Sequence, residues 1–310
     1  MTTDALTVSS AASERKHALV GVAAALTTVV IWALWIVGTR HAVTTTLDPA
    51  AVGILRFAVP ALVLAPVWWR AGFLPKNIPV WRMLGLLGSG APFFLVVATG
   101  AQYAPAAEIG PLLPGTMPLF VALIAVTVFG ERMDRWRTLG FALILIGIVA
   151  IAARGLLDFS GGAWRGHFLL LLGASMWAVY THVFRRSGLT ALEATAFVSL
   201  WSVLMLLPIG SASLAAAIEH GLTGPFFMQI MLQGVLTGVI GTILYSVSVQ
   251  HLGAARAAAF APLGPVMAML IAVPALGEIP DLAALLGIGA TTVGVLLASG
   301  VRLPIASRRS

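Results

Sequence analysis

A chain of 310 residues in which 59% of the residues are hydrophobic and only 9% are charged lacks the polar surface that a water-soluble domain of this size needs. The net charge of +7 would suit a nucleic-acid partner in a soluble protein, but no aromatic-rich basic domain accompanies it, so nucleic acid is not expected as a partner. The absence of cysteine excludes disulfides, thiolate metal sites and cysteine nucleophiles.

Apolar runs long enough to cross a hydrocarbon core of about 30 Å recur along the chain. Ten spans are predicted in chain order, at residues 18–38, 50–69, 81–102, 106–129, 137–153, 166–184, 193–210, 227–249, 254–276 and 282–300. The first span is not followed by a clear cleavage site, so it is predicted to remain uncleaved. The predicted fold class is an all-α, polytopic protein with the lipid bilayer as its solvent.

Lysine and arginine orient the spans, because short loops rich in these residues face the cytoplasm. With the N-terminus inside, 14 of the 18 basic residues lie on the inner face, Arg40, Arg154 and Arg165 lie on the outer face, and Arg56 lies within the second span. Residues 1–17 and 301–310 are therefore predicted to be cytoplasmic tails of a protein of the cytoplasmic, inner membrane. The inner residues are Arg15, Lys16, Arg70, Lys76, Arg82, Arg132, Arg135, Arg137, Arg185, Arg186, Arg256, Arg302, Arg308 and Arg309.

An internal repeat is visible when the sequence is shifted by 147 residues. Eleven of 30 positions are identical between residues 118–147 and 265–294, including Gly130/Gly277, Glu131/Glu278 and Asp134/Asp281. A shift of 145 residues pairs Gly21/Gly166, Trp32/Trp177 and Arg40/Arg185. Each copy holds five spans, so the second copy, residues 166–300, must enter the membrane from the side opposite to the first, residues 18–153. Inverted repeats of this kind are common in secondary transporters.

The segments from Tyr103 to Glu131 and from His251 (His-Leu-Gly-Ala-Ala-Arg) to Gly277-Glu278 resemble the drug/metabolite transporter superfamily, in its ten-helix EamA branch. The resemblance covers nearly the whole chain. It implies two inverted five-helix bundles around a central cavity, and ATP-independent movement of amino acids, metabolites or amphiphilic drugs, with export favoured. The fourth span departs from the family in being rich in proline and in containing Glu108.

The fourth span carries Pro111, Pro114 and Pro118 on one helical face, and Pro265 occupies the repeat-equivalent place of Pro118 in the ninth span. Each proline removes a backbone donor, and freed carbonyls are tolerated in a membrane where they line a wet cavity or are buried in protein. Paired helix interruptions point to a transporter site, so these prolines are predicted to line the cavity. Kinks that serve only packing are the alternative.

Two charges lie in apolar runs. Glu108 in the fourth span and Arg56 in the second span are predicted to lie at similar depth, and charges inside a membrane are expensive and mark functional sites. We hypothesise that the two residues pair, or that Glu108 binds a coupling proton or cation. The alternative is that both side chains reach the outer interface.

Aromatic and amide side chains complete the candidate site. Trp32, Trp35, Trp177 and Tyr180 either line the cavity or belong to the interfacial aromatic belt. Gln102 and Tyr245 are candidates for contact with a polar solute. Glu131 and Glu278 precede the fifth and tenth spans, where a negative charge stabilises a helix N-terminus.

The sequence does not predict an enzyme, because no protease or nucleotide-binding motif has the required spacing. No cofactor and no metal is expected. A neutral or zwitterionic metabolite, or an apolar cation, fits the few buried charges better than a sugar phosphate does. An intramembrane enzyme, a channel and a non-transporting scaffold are the alternative functions, and a homodimer and a coupling ion are left open as partners.

Overall fold

The computed structural model describes residues 2–74, 78–157 and 159–299. Within these ranges, side chains are described everywhere except in segments 2–16, 154–157 and 254–255. Lys76 and the tail 301–310 lie outside the described residues, as do the side chains of Arg15, Lys16 and Arg154. The orientation assigned from those basic residues therefore stays a prediction.

Helices make up the described ranges, and no strand occurs in them. A short 3₁₀ turn, Leu87–Ser89, joins α4 to α5, and a π-helix, Ile230–Gly241, joins α11 to α12. The α-helices are α1 Thr2–Thr45, α2 Pro49–Val63, α3 Ala65–Ala71, α4 Val80–Leu86, α5 Ala91–Tyr103, α6 Ala106–Leu112, α7 Met117–Phe129, α8 Arg135–Leu157, α9 Ala163–Arg185, α10 Ala191–Glu219, α11 Thr223–Gln229, α12 Thr242–Leu252, α13 Ala254–Ala258, α14 Leu263–Leu276 and α15 Leu282–Ala298.

Eight helical segments of the described residues are long and apolar enough to cross a membrane. A ninth is formed if α2 and α3, which are bent by 70°, count as one span, and α15 is a further apolar helix of 17 residues. These segments coincide in order with the ten predicted spans. The first differs most, because α1 begins at Thr2, inside the segment assigned to a tail, and ends at Thr45 rather than near residue 38.

The helices pack mainly across the two halves. Six extensive pairs are α8 with α15, α2 with α10, α1 with α12 and α14, and α9 with α5 and α7. Exchanging each helix for its repeat equivalent turns α1–α12 into α9–α5 and α1–α14 into α9–α7, and leaves α2–α10 and α8–α15 unchanged. These six pairs therefore map onto one another, as expected for two copies related by a pseudo-twofold axis, whereas the packing of α2 against the π-helix has no counterpart of the same extent.

The α8–α15 pair shows the inversion at atomic detail. A Cβ atom added to Gly140 would come within 2.6 Å of the carbonyl oxygen of Gly294, and one added to Gly147 within 2.8 Å of that of Gly287. Gly140 is the repeat equivalent of Gly287, and Gly147 of Gly294, so equivalent glycines meet crosswise along antiparallel helices. Small residues permit this close approach between membrane helices.

Both the fourth and the ninth spans are interrupted. Residues 113–116 separate α6 from α7, and residues 259–262 separate α13 from α14, which confirms the predicted paired interruptions. The carbonyls freed near the first break are satisfied locally, since the Thr116 hydroxyl donates to the Leu112 oxygen (2.6 Å) and the Gly115 amide donates to the Gly110 oxygen (3.1 Å).

Aspartates cap the fifth and tenth spans. The Asp134 carboxylate accepts hydrogen bonds from the amides of Trp136 and Arg137, and the Asp281 carboxylate accepts one from the Ala284 amide (2.8 Å). The prediction that Glu278 supports the helix that follows it is wrong, because its carboxylate is engaged elsewhere, as described below.

Candidate functional site

A central cavity of about 120 Å³ lies between the two halves. This volume is several times the roughly 10–15 Å³ that one ordered water needs on a probe-based measure. Its walls come from α2 and the turn before α5 in the first half, and from α9, α10, the π-helix and α12 in the second. The lining residues are Arg56, Phe57, Pro60, Ser89, Trp177, Tyr180, Thr195, Val198, Ser199, Thr237, Gly238 and Thr242.

The cavity reaches towards one end of the bundle. Tyr180 lies five residues before the end of α9, and Thr195 lies four residues after the start of α10, which places them about 8 Å and 6 Å from that end at 1.5 Å per residue. We call this the Glu131 end, because Glu131 lies in the loop between α7 and α8 on the same side. The opposite end of the bundle, where α1 finishes and α15 begins, is called the Glu278 end.

Arg56 is the cation of the central cavity. Its guanidinium carbon lies 4.9 Å from the centroid of the Trp35 ring, and 5.7 and 5.8 Å from those of Phe57 and Phe94. Its Nη1 atom is buried, and the guanidinium donates no hydrogen bond to the part of the chain that the structure describes. Aromatic faces attract such a cation, but they do not satisfy its donors.

Hydroxyl groups of the second half line the same cavity as Arg56. Thr195 donates to the Ala191 oxygen (2.8 Å), and Thr237 donates to the Leu232 oxygen (2.7 Å), so their oxygen lone pairs are left available. Ser199 is buried in the cavity wall. Thr237 and Gly238 belong to the π-helix, a rare conformation that is frequent at functional sites.

A second cavity, of about 310 Å³, lies at the Glu278 end. Here the Oε2 atom of Glu108 on α6 lies 2.7 Å from the Nε2 atom of His167 on α9. His167 is only 4% exposed, and its Nδ1 atom is buried without a partner among the described residues. The remaining walls are formed by Pro105, Ala107, Ala163, Glu278, Ile279, Pro280, Asp281 and Ala284.

A clasp of polar contacts closes the Glu278 end. The Nε atom of Arg40 on α1 donates to Oε1 of Glu278 (3.0 Å), and Oε2 of Glu278 accepts from the amide of Ala106, the first residue of α6 (2.5 Å). Arg40 Nη1 also donates to the carbonyl oxygens of Ala101 (2.7 Å) and Gln102 (2.8 Å) at the end of α5. Glu278 thus stabilises a helix N-terminus of the first half from the second half.

The Glu131 end lacks the equivalent contacts. Arg185 and Glu131 are the repeat equivalents of Arg40 and Glu278, and both are exposed. Glu131 forms no side-chain hydrogen bond or ion pair within the described ranges. The neighbouring Arg186 instead lies 3.7 Å from the centroid of the Phe129 ring. The two ends of one pseudosymmetric molecule are therefore in different states.

The structure separates the two charges that the sequence analysis paired. Glu108 contacts His167 and Arg56 lies against Trp35, so the hypothesis of a Glu108–Arg56 pair is wrong for this conformation. Arg56 also does not reach an interface, because its guanidinium is enclosed by aromatic rings at the central cavity. His167 was not singled out from the sequence, although a histidine four residues into an apolar helix is a usable signal.

The predicted aromatic and amide residues divide between different places. Trp177 and Tyr180 line the central cavity, and Trp35 lies behind Arg56. Trp32 and Tyr245 contact each other, with ring centroids 5.6 Å apart, on a flank where each is more than one third exposed. Gln102 is at the Glu278 end, where its side chain donates to the Val43 oxygen (3.3 Å).

The prolines lie outside both cavities. Neither wall includes Pro111, Pro114, Pro118 or Pro265. Pro265 instead packs against Gly110, where an added Cβ atom would come within 2.7 Å of its Cα atom. The structure therefore places the interrupted spans against each other, and the cavity-lining role of these prolines stays a prediction.

Comparison with known proteins agrees with this architecture. The EamA-like transporter family matches the chain twice, over residues 19–153 and 164–300. One solved crystal structure superimposes with a TM-score of 0.53 at 17% identity, over 95% of this chain and 99% of that chain, and supports the fold alone.

Curated relatives carry transporter names. The chain is 25% identical over 274 residues to the uncharacterised transporter YyaM of Bacillus subtilis, covering 83% of this chain and 87% of that protein. It is 28% identical over 257 residues to a probable terminal-alkyne amino-acid exporter of Streptantibioticus cattleyicolor, covering 80% and 83%. It is 26% identical to the inner membrane transporter YedA of Escherichia coli, covering 79% of each chain. The chain therefore belongs to the EamA-like transporter family of the drug/metabolite transporter superfamily and is a multi-pass membrane transporter.

Proposed function

We propose that this transporter is an ATP-independent secondary carrier that moves a small solute across the cytoplasmic membrane by alternating access. The observation that carries the proposal is the one-sided clasp. Arg40, Glu278 and Ala106 join the halves at one end, whereas Arg185 and Glu131 are unengaged at the other. In an inverted repeat, exchanging the conformations of the two copies moves the closed end to the opposite side of the membrane.

The positive-inside assignment gives the proposed orientation. With both termini in the cytoplasm, the Glu131 end faces the cytoplasm and the central cavity draws solute from that side. We infer that the opposite conformation forms a second clasp, in which Glu131 pairs with Arg185 and accepts from an amide at the start of α13. Residue Ala254 begins α13 as Ala106 begins α6. The solute then leaves through the Glu278 end.

Export is the favoured direction. A cavity open to the cytoplasm is loaded from that side, and one curated relative is named as a probable amino-acid exporter. The direction of net transport in a secondary carrier is set by the gradients of the solute and of the coupling ion, so the coupling ion must also be identified.

We infer that the coupling ion is a proton held by Glu108 and His167. The pair joins α6 to α9 across the halves, next to a cavity at the end that must open. Of the charged groups around it, Arg40 and Glu278 are paired, Asp281 caps α15, and Arg165 is exposed beside Trp164. Helices α14 and α15 contain no ionisable residue, and the Arg154 side chain of α8 lies outside the described side chains.

Proton loss leaves this pair with a net negative charge, which is costly inside a membrane unless water reaches it. Deprotonation should therefore favour opening of the Glu278 end, and protonation should favour its closure. This proton-dependent bias is how the pair would couple a proton gradient to the transport cycle.

Labelling of one cavity cysteine tests alternating access. The chain has no native cysteine, so Ser89→Cys introduces a single thiol at a partly exposed position in the wall of the central cavity. In oriented vesicles, an impermeant thiol reagent should label it readily from the cytoplasmic side and slowly from the other. Labelling from both sides at once would indicate a channel, and that result would overturn the proposal.

Flux in proteoliposomes tests the carrier itself. Vesicles loaded with a candidate amino acid should take up labelled solute by counterflow, with saturation. Linear and non-saturable conductance would indicate a channel, and the absence of flux for every solute tested would favour a scaffold.

A further inference from the structure

The central cavity contains a guanidinium that lacks an anion. Arg56 points its charge at the rings of Trp35, Phe57 and Phe94, and it donates no hydrogen bond to any described residue. A charged group within a membrane is usually paired with another group or faces a water-filled cavity. Cation–π attraction compensates part of the cost of burial, but it leaves the two N–H groups of the buried Nη1 atom without an acceptor among the described residues.

The acidic residues nearest in the fold are already engaged. Glu108 contacts His167, and Glu278 is held by Arg40 and the Ala106 amide. Glu193, at the start of α10, accepts hydrogen bonds from the amide and hydroxyl of Thr190. No carboxylate of the described residues forms an ion pair with Arg56, although Arg56 lies in the wall of a cavity built from both halves.

We propose that the solute supplies the missing anion, and that the transporter binds a small molecule carrying one carboxylate at Arg56. This inference rests on the proposed carrier function and names its substrate class. A guanidinium offers a planar pair of donors that matches the two oxygens of a carboxylate, and a charge-assisted bond of this kind is strong and directional. A single cation balances a single negative charge, so a dianion such as a sugar phosphate would leave charge uncompensated.

The rest of the wall limits the body of the solute. Trp177 and Tyr180 provide aromatic surface, and Ser199 and Thr237 provide hydroxyl oxygens in the same wall as Arg56. In this conformation the cavity measures about 120 Å³, which is small beside the roughly 300–1,000 Å³ of common ligand pockets. Small aliphatic carboxylates and small amino acids fit these limits, whereas an apolar cation would be repelled by Arg56.

The position of Arg56 gives the carboxylate a role in transport. Arg56 belongs to α2 of the first half, and α2 packs against α10 of the second half, which carries Ser199. A carboxylate bound between them neutralises the charge that the closing halves must otherwise bury. The loaded carrier can therefore pass through the intermediate in which both ends are closed more easily than the empty carrier can. This favours exchange of solute over return of the empty carrier.

A size-matched probe series tests the proposal without any variant. Isobutyrate, isobutyramide and isobutylammonium have nearly the same shape and differ in charge. Binding to the purified full-length protein in detergent is followed by tryptophan fluorescence, since Trp177 lines the cavity, and by thermal stability. Isobutyrate should give a saturable shift, and the amide and the ammonium ion should bind at least tenfold more weakly.

Substitutions assign the effect to Arg56. Arg56→Met should weaken isobutyrate binding at least tenfold, and Arg56→Lys should restore part of it, because lysine keeps the charge but loses the planar pair of donors. Arg135→Met is the matched control, since Arg135 also stacks on a tryptophan but lies at the exposed start of α8, and it should leave binding unchanged.

Three results would overturn the inference: equal binding of isobutyrate and isobutyramide, equal shifts from chloride and isobutyrate, or unaltered binding in a monodisperse Arg56→Met protein. Failure of the carrier proposal is a separate result. Carboxylate binding in detergent needs no alternation of access, and the Ser89→Cys labelling needs no carboxylate, so each proposal can fail while the other stands.

Discussion

The Glu278 end and the Glu131 end are built from equivalent pieces of sequence, and yet they differ. At the first, Arg40 and Glu278 join α1, α5 and α6 to the loop before α15. At the second, Arg185 and Glu131 are exposed. Residues that align in the repeat are therefore not in the same environment, because an asymmetric conformation can form only one of the two equivalent sets of contacts.

The difference between the ends indicates which contacts set the free-energy difference between the two conformations. The charge-assisted bonds of a clasp are worth about 1.5–3 kcal/mol each, and a change of 1.4 kcal/mol alters an equilibrium tenfold. Two clasps of similar strength, formed in turn, would leave both conformations accessible. Removal of either clasp should shift the equilibrium towards the conformation that the other clasp stabilises.

The largest effect is expected from Glu278→Gln. Loss of the charge weakens the bonds to Arg40 and to the Ala106 amide, so the Glu278 end should open more often and labelling of Ser89→Cys from the outside should rise at least tenfold. Glu219→Gln removes an exposed charge from the same end of the bundle and should not change the labelling. If the labelling from the two sides is unchanged in Glu278→Gln, the clasp has no part in the mechanism.

The opposite change is expected from Glu131→Gln. Glu131 contacts no described side chain in this conformation, so thermal stability should be unaltered while outside labelling and counterflow fall by about tenfold. The double variant Glu278→Gln, Glu131→Gln should return the balance between the ends towards that of the unmodified protein. If Glu131→Gln lowers the melting temperature as much as it lowers flux, the residue serves folding rather than exchange.

A smaller effect, of several-fold, is expected from Glu108→Gln and His167→Gln. In the protein that carries only Ser89→Cys, labelling from the outside should rise as the outside pH rises, because deprotonation of the pair favours an open Glu278 end. Both variants should show a flatter pH profile. Normal expression with an unchanged profile in Glu108→Gln would exclude Glu108 from coupling.

The smallest effect on the side from which the cavity is labelled is expected from variants in the α8–α15 pair, which lies away from the clasps at the two ends. Gly140→Ala places a Cβ atom within 2.6 Å of backbone atoms of α15 and should cost about 1–3 kcal/mol of stability. Gly289→Ala on α15 meets no atom within 4 Å and should be neutral or stabilising. The melting temperature should separate the two variants, while the ratio of labelling between the sides stays the same in both.

The fold was largely predictable because its signals are local. Long apolar runs follow from the thickness of the bilayer, and the repeat aligns Gly140 with Gly287 and Gly147 with Gly294 without reference to coordinates. The breaks in the fourth and ninth spans, which carry Pro111 and Pro265, were expected because proline cannot continue the backbone ladder. The long α1 helix and the bend between α2 and α3 were not expected, because neither is marked by charge.

The candidate site was only partly predictable. Trp177, Tyr180 and Arg56 were expected at a functional site and lie at the central cavity. Glu108 was singled out, but its contact with His167 depends on how α6 meets α9, and 59 residues separate the two in the chain. Trp32 and Tyr245 share the composition of cavity residues, and only packing places them on a flank.

By itself, the sequence determined the solvent, the order of the helices, the inverted repeat and the family, because each depends on composition or on periodic spacing along the chain. Only the tertiary structure decided which charges meet. Arg40 reaches Glu278 across 238 positions, while Arg56 meets rings in place of a carboxylate. Contacts between distant residues depend on the conformation that the halves adopt, and a sequence that serves two conformations cannot specify only one of them.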